Sequence, residues 1–305
     1  MKTLKLTACF AILILIALLA VTSCQSAPKP QPTETVVAEG EVNCPILDFE
    51  MKDGTDDEDP ELGYMSRGAF VSWRFDCQDP YWKGKFVGWQ DFYTPDGGES
   101  WLWYGYYEGV TDDGGVWISM KEDIPPLSLN TGRGEGKYKG LINNMETDIG
   151  QEADNFIMRY RITKPPTVAP TAIPEGTVVA EGEASCLIVD NTSEGGIQYT
   201  DPELGEMERG IMVTWRNDCV EPYIGGQCFG LQDSYSAGGD KVNSKIFYEC
   251  ITGDSGAWLC NSEVRSPGAT ITCEGLSKYK GLLLSEEYNL DTGTVKYRVT
   301  QLDGE

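Results

Sequence analysis

Thr35-Val-Val-Ala-Glu-Gly-Glu41 returns, residue for residue, as Thr177-Val-Val-Ala-Glu-Gly-Glu183, and the same shift of 142 positions aligns much of the chain downstream of each copy. Cys44 falls on Cys186, Asp59-Pro-Glu-Leu-Gly63 on Asp201-Pro-Glu-Leu-Gly205, Trp73-Arg74 on Trp215-Arg216, Asp76-Cys77 on Asp218-Cys219 and Gln90-Asp91 on Gln232-Asp233. With a shift of 141, Trp117 falls on Trp258 and Lys137-Tyr-Lys-Gly-Leu141 on Lys278-Tyr-Lys-Gly-Leu282. The chain therefore holds two homologous units, residues 35–163 and 177–305, each of a size that can bury its own core. Two long units do not make a solenoid. The segment 164–176 between them, with Pro165, Pro166, Pro170 and Pro174, reads as a semi-rigid spacer. It predicts units that move like beads on a short stiff string.

Inside each unit the hydrophobic period is two. Ala69, Val71, Trp73 and Phe75 share one face against Ser72 and Arg74, and Ile211, Val213 and Trp215 repeat this against Thr214 and Arg216. Near the unit ends, Phe156, Met158, Tyr160 and Ile162 alternate with Arg159 and Arg161, as Val295, Tyr297 and Val299 do with Lys296 and Arg298. Such patterns are half-buried antiparallel strands. Turn signals every dozen or so residues and the lack of a helical stripe predict an all-β chain: two tandem small antiparallel β-barrels of about eight strands each, joined by the Pro-rich linker.

The cysteines act as rulers. Cys44 and Cys77 lie 33 residues apart, as do Cys186 and Cys219, which predicts one bridge common to both units. The second unit adds four. Cys228 and Cys250 centre on the Gly238-Gly239 turn, and Cys260 and Cys273 on Ser266-Pro267-Gly268, so each pair can face across its own hairpin, with Cys250 to Cys260 as the rival pairing. Without any CxxC, the eight read as disulfides of an oxidising compartment rather than as a metal cluster.

The N-terminus supplies that compartment. Lys2 and Lys5 precede an uncharged run, Ala8 to Ala20, that is short for a membrane span. The run ends in Val21-Thr-Ser-Cys24, which resembles the bacterial lipoprotein signal, where cysteine becomes a lipidated N-terminus. Residues 1–23 are then a signal peptide, Cys24 the lipid anchor, and 24–34, with Pro28, Pro30 and Pro32, a Pro-rich tether reaching roughly 30 Å. The resemblance implies a secreted protein lipid-anchored at the outer face of the cell envelope, with the membrane as a partner through Cys24.

Composition narrows the chemistry. With no histidine, Ser-His-Asp and Cys-His relays, His-ligated zinc and imidazole switches are excluded. A formal charge of -24 repels phosphate backbones, which argues against nucleic acid as a partner. The acidic run Asp53 to Asp59 lacks EF-hand spacing and reads as a solvated loop, so neither metal nor cofactor is expected.

Gly134-Glu-Gly-Lys-Tyr-Lys-Gly-Leu141, recurring from Lys278 to Leu282, resembles the glycine-framed turn of the allene oxide cyclase and dirigent barrels. The Asp-Pro-Glu-Leu-Gly stretch followed by a strand looks like secreted bacterial proteins of that superfamily. The resemblance implies a small barrel. It selects no reaction, because that superfamily holds an isomerase, guides of radical coupling and non-enzymes, and no catalytic residue carries over.

Aromatic residues are unevenly shared. The first unit carries Trp82, Trp89, Trp101 and Trp103 beyond the two tryptophans common to both, with Tyr104 among them. These rings could form a platform for a glycan or a small apolar ligand, or could replace the second unit's extra disulfides as core. Recurring polar residues on strands, Arg74, Gln90, Asp91 and Glu108 with Arg216, Gln232, Asp233 and Glu249, could line a pocket or satisfy buried charge. The sequence therefore favours a surface-anchored lipoprotein with two binding or interaction modules. An isomerase or lyase with a barrel pocket and a non-catalytic envelope spacer are the alternatives.

Overall fold

A computed structural model describes residues 34–59, 63–94, 102–148, 156–165, 176–236, 242–254 and 256–302. Segment 1–23, Cys24, nearly all of the tether, most of the linker and Trp101 lie outside them. The described residues contain no helix. The first unit runs β1 (Thr35–Asn43), β2 (Ile46–Lys52), β3 (Thr55–Asp59), β4 (Gly63–Phe75), β5 (Gly84–Tyr93), β6 (Leu102–Thr111), β7 (Gly115–Ile124), β8 (Leu127–Gly136), β9 (Ile142–Asp148) and β10 (Ile157–Lys164). The second runs β11 (Gly176–Glu194), β12 (Ile197–Asp201), β13 (Gly205–Cys219), β14 (Gly226–Ser236), β15 (Val242–Thr252), β16 (Gly256–Arg265), β17 (Gly268–Ser277), β18 (Leu282–Asn289) and β19 (Thr294–Leu302).

Both sheets are antiparallel meanders, one of ten strands and one of nine. In the second, the long β11 pairs with β19 from Gly176 to Ser185 and with β13 from Cys186 to Glu194, strands that stand far apart in the meander. In the first, the same path is broken at Cys44-Pro45: β1 pairs with β10, and β2 then pairs with β4. That interruption and the short β3 and β12 raise the strand number above the eight expected.

The disulfides are Cys44–Cys77, Cys186–Cys219, Cys228–Cys250 and Cys260–Cys273, with Cα separations of 4.0–4.4 Å. The last two join directly opposed residues of β14–β15 and β16–β17. At the matching places the first unit puts the Phe86 ring over Gly109, where a Cβ would come within 2.0 Å of it, and Ser119 opposite Gly132. Ring packing on a glycine thus stands where the other unit has a covalent staple.

The glycine-framed motif forms the turn after β8 and, in the second unit, after β17, and packs its tyrosine into the core. The Tyr138 hydroxyl donates to Asp113 Oδ1 (2.7 Å), Trp117 lies 4.9 Å from its ring, and Trp117 Nε1–H donates to the Tyr81 carbonyl. Tyr279, Asp254, Trp258 and the Tyr223 carbonyl repeat the arrangement. Gly134 and its counterpart Gly275 are required because a Cβ would lie 2.1 or 1.9 Å from the carbonyl oxygen of the following tyrosine. The most recognisable stretch of the sequence is therefore architecture.

Contrary to the expectation of independent beads, the two units are docked. Phe70, Val87, Trp89 and Tyr106 form one apolar cluster with Met212, Phe229, Leu231 and Phe247. The second four are the repeat counterparts of the first four, so the contact is reciprocal, as in an isologous dimer. It explains a second departure. β5 is buried along nearly its whole length, because one face looks into its own unit and the other into the neighbour.

Candidate ligand cavity and the inter-unit ion clusters

The charged residues singled out in the sequence do not gather inside either unit; Glu108 and Asp233 line an open cleft of about 510 Å³ between the units. Gln90 and Asp91 are consecutive on β5 and so point to opposite faces. Asp91 is buried between the units, where Arg67 Nη1 donates to Asp91 Oδ2 (3.2 Å) and to Glu249 Oε1 of the second unit (3.0 Å). The Tyr104 hydroxyl donates to Asp91 (2.8 Å), and Gly68 N–H donates to its other oxygen. The mirrored cluster has Arg209 bound to Glu108 of the first unit and to Asp233 (3.0 Å), with Gly210 N–H on Asp233 and Glu135 as a further carboxylate. Burial lifts Asp91 to about 6 against the pull of Arg67, and burial with a second carboxylate alongside holds Glu108 and Glu249 well above the usual range. In each cluster the crowding of carboxylates favours the protonated form of the inter-unit glutamate. Arg74 and Arg216 are solvent-side, paired with Asp112 and Asp190. Asp91, Glu108, Asp233 and Glu249 are thus docking residues.

The extra aromatic rings are also redistributed, and among the described residues they form no flat exposed row. Trp89 is fully buried against Phe229 and Tyr106 in the inter-unit cluster. Tyr104 belongs to the Arg67 cluster. Trp82 is buried on Trp117. Trp82 and Trp103 both line a cavity inside the first unit.

That cavity encloses about 310 Å³, at the lower end of ordinary small-molecule sites. Its walls are Val71, Trp73 and Phe75 of β4, Phe86 and Gln90 of β5, Trp103 and Tyr107 of β6, and Met145 and Met158 near the chain's return. Phe49 and Met51 of β2 line it too, yet are 58% and 48% exposed, which places its mouth at that strand. Most of the lining is apolar. Four polar atoms of its lining have no hydrogen-bond partner among the described residues: Trp73 Nε1, Trp82 Nε1, Ser128 Oγ and Asn130 Oδ1. An unmet buried donor costs about 1–3 kcal/mol, and a bound molecule with an acceptor would recover it.

Sequence reasoning missed Lys121. Its Nζ sits 3.5 Å from the centre of the Trp103 ring and 3.9 Å from Asp123 Oδ1. Asp123 lies opposite Ser128 on the facing strand and is itself buried. Burial lowers Lys121 to about 7, with Asp123 opposing. The only sequence signal is parity. Counting by register from Gln90 gives a cross-strand row of Gln90, Gly105, Lys121, Asn130 and Met145 on the inner face.

The second unit's row is Gln232, Ile246, Ser262, Ile271 and Glu286. Isoleucines stand where the first unit has Gly105 and Asn130, and the cavity there is about 140 Å³. Glu286 lines it and is pushed up to about 7 by burial. The same place in the two units has diverged in size and charge. No protein-family model, curated protein or solved structure matches this chain.

Proposed function

We propose that the protein is an envelope lipoprotein, anchored through Cys24, whose first unit holds a small apolar molecule inside a barrel, while the second braces and positions it. The reading of each sheet as a closed barrel rests on the split pairing of β11 and of β1 with β2, and agrees with the resemblance to the allene oxide cyclase and dirigent barrels. The observation that carries the functional reading is the 310 Å³ apolar cavity with an exposed Phe49–Met51 mouth and unpartnered indole N–H groups within. Apolar walls supply affinity, and a few placed polar groups set orientation. The proposed role needs no metal, cofactor or nucleic acid.

The test is titration of the purified protein with an environment-sensitive apolar fluorophore such as 1-aminoanthracene. Saturable binding near one equivalent is expected, and Met145→Trp, which fills the chamber beside Asn130, should abolish it. Absence of saturable binding, or binding indifferent to that variant, overturns the reading.

A further inference from the structure

Lys121 is a costly residue that the fold does not require, since the second unit keeps the same strand and register with Ser262 in its place. Its amine lies inside an apolar chamber, on an indole face, with its nearest carboxylate at 3.9 Å, beyond direct hydrogen bonding. Gly105, its neighbour across β6, contributes no side chain to crowd it. An amine so placed is available to a molecule entering past Phe49 and Met51. We propose that the first cavity captures small apolar aldehydes as an imine on Lys121, a reading that rests on the cavity being a ligand site.

The step balances without a further reagent. The neutral amine adds to the carbonyl carbon, forming the C–N bond as the oxygen takes up a proton. The carbinolamine then loses hydroxide together with the remaining nitrogen proton as water, leaving C=N. Asp123, within 4 Å of the nitrogen, is placed to receive and return protons in both stages. Because burial lowers Lys121 to about 7, a large share of it is unprotonated at neutral pH, whereas ordinary surface lysines are almost wholly ammonium.

The experiment treats the full chain at pH 7 with octanal and cyanoborohydride, locates the reduced octyl adduct by peptide mass spectrometry, and in parallel measures displacement of 1-aminoanthracene by octan-1-ol. Lys121 should be alkylated at least about ten-fold faster than any other lysine. Lys121→Arg and Lys121→Met should each lose that adduct. If octan-1-ol displaces the fluorophore but Lys121 is labelled no faster than surface lysines, aldehyde capture is overturned and the binding site stands. If neither molecule displaces it, the binding reading fails and takes the inference with it. Should either variant not fold, the labelling rates in the unsubstituted protein decide alone.

Discussion

Glu286 and Lys121 show what a single side chain costs inside such a unit. With its carboxyl raised from 4.5 to about 7, Glu286 stays protonated in the folded chain over a range where the unfolded chain has ionised. Folding therefore binds the extra proton, and stability falls as pH rises from about 4.5 to 7, by up to about 3 kcal/mol. Glu286→Gln should be more stable than the parent at pH 8, with the difference vanishing near pH 4, as read from urea midpoints at both values. An equal difference at both pH values would mean that the carboxyl titrates alike in the folded and unfolded chain. Neither residue is evident from sequence. A lysine or glutamate in an alternating strand is assigned outward by default, and only register shows that Lys121 and Glu286 share parity with Gln90 and Gln232. By contrast, Gln90-Asp91 is open to direct resolution, since adjacent strand residues cannot line one pocket.

At the scale of strands and hairpins the sequence is far more informative. Alternation places Val71, Trp73 and Phe75 on one inner face, and index sums pair Cys228 with Cys250 and Cys260 with Cys273, because both signals are local and derive from strand geometry. Hidden from such signals is which strands are covered twice. Phe86, Val87 and Trp89 are apolar at both parities, a mark of a strand buried on both faces that is easily taken for mere aromatic richness. The staple across β16 and β17 closes 13 residues, a loop worth about 3 kcal/mol of unfolded-state entropy. Cys260→Ala with Cys273→Ala should lower stability by about that amount and leave the Trp82–Trp117 packing of the first unit intact. Guanidinium unfolding monitored by near-ultraviolet circular dichroism would measure both, and an unchanged midpoint would show that the hairpin is already ordered before the bridge forms.

For the whole molecule, docking is the property no local pattern foretells, because a proline-rich spacer specifies reach and says nothing of whether the tethered bodies adhere. Its keystones are Arg67 and Arg209, each buried among carboxylates of both units. Removing one guanidinium leaves buried charge uncompensated, at a cost of about 3–5 kcal/mol. Arg209→Met and, separately, Arg67→Met should split a single thermal unfolding transition into two in calorimetry. One undivided transition in both variants would mean that the apolar cluster alone couples the units.

Reciprocal docking also bears on how such a chain can change over generations. In a pair of identical subunits every substitution appears on both sides of the axis at once, so neither side can specialise. Joined head to tail in one gene, the two sides mutate separately. Phe229 covers Gly68 while the smaller Val87 covers Gly210, and behind that seam one chamber is open around a lysine while its twin is narrowed by isoleucines around an acid. In a single chain the symmetry of the docked pair therefore binds neither half to the composition of the other.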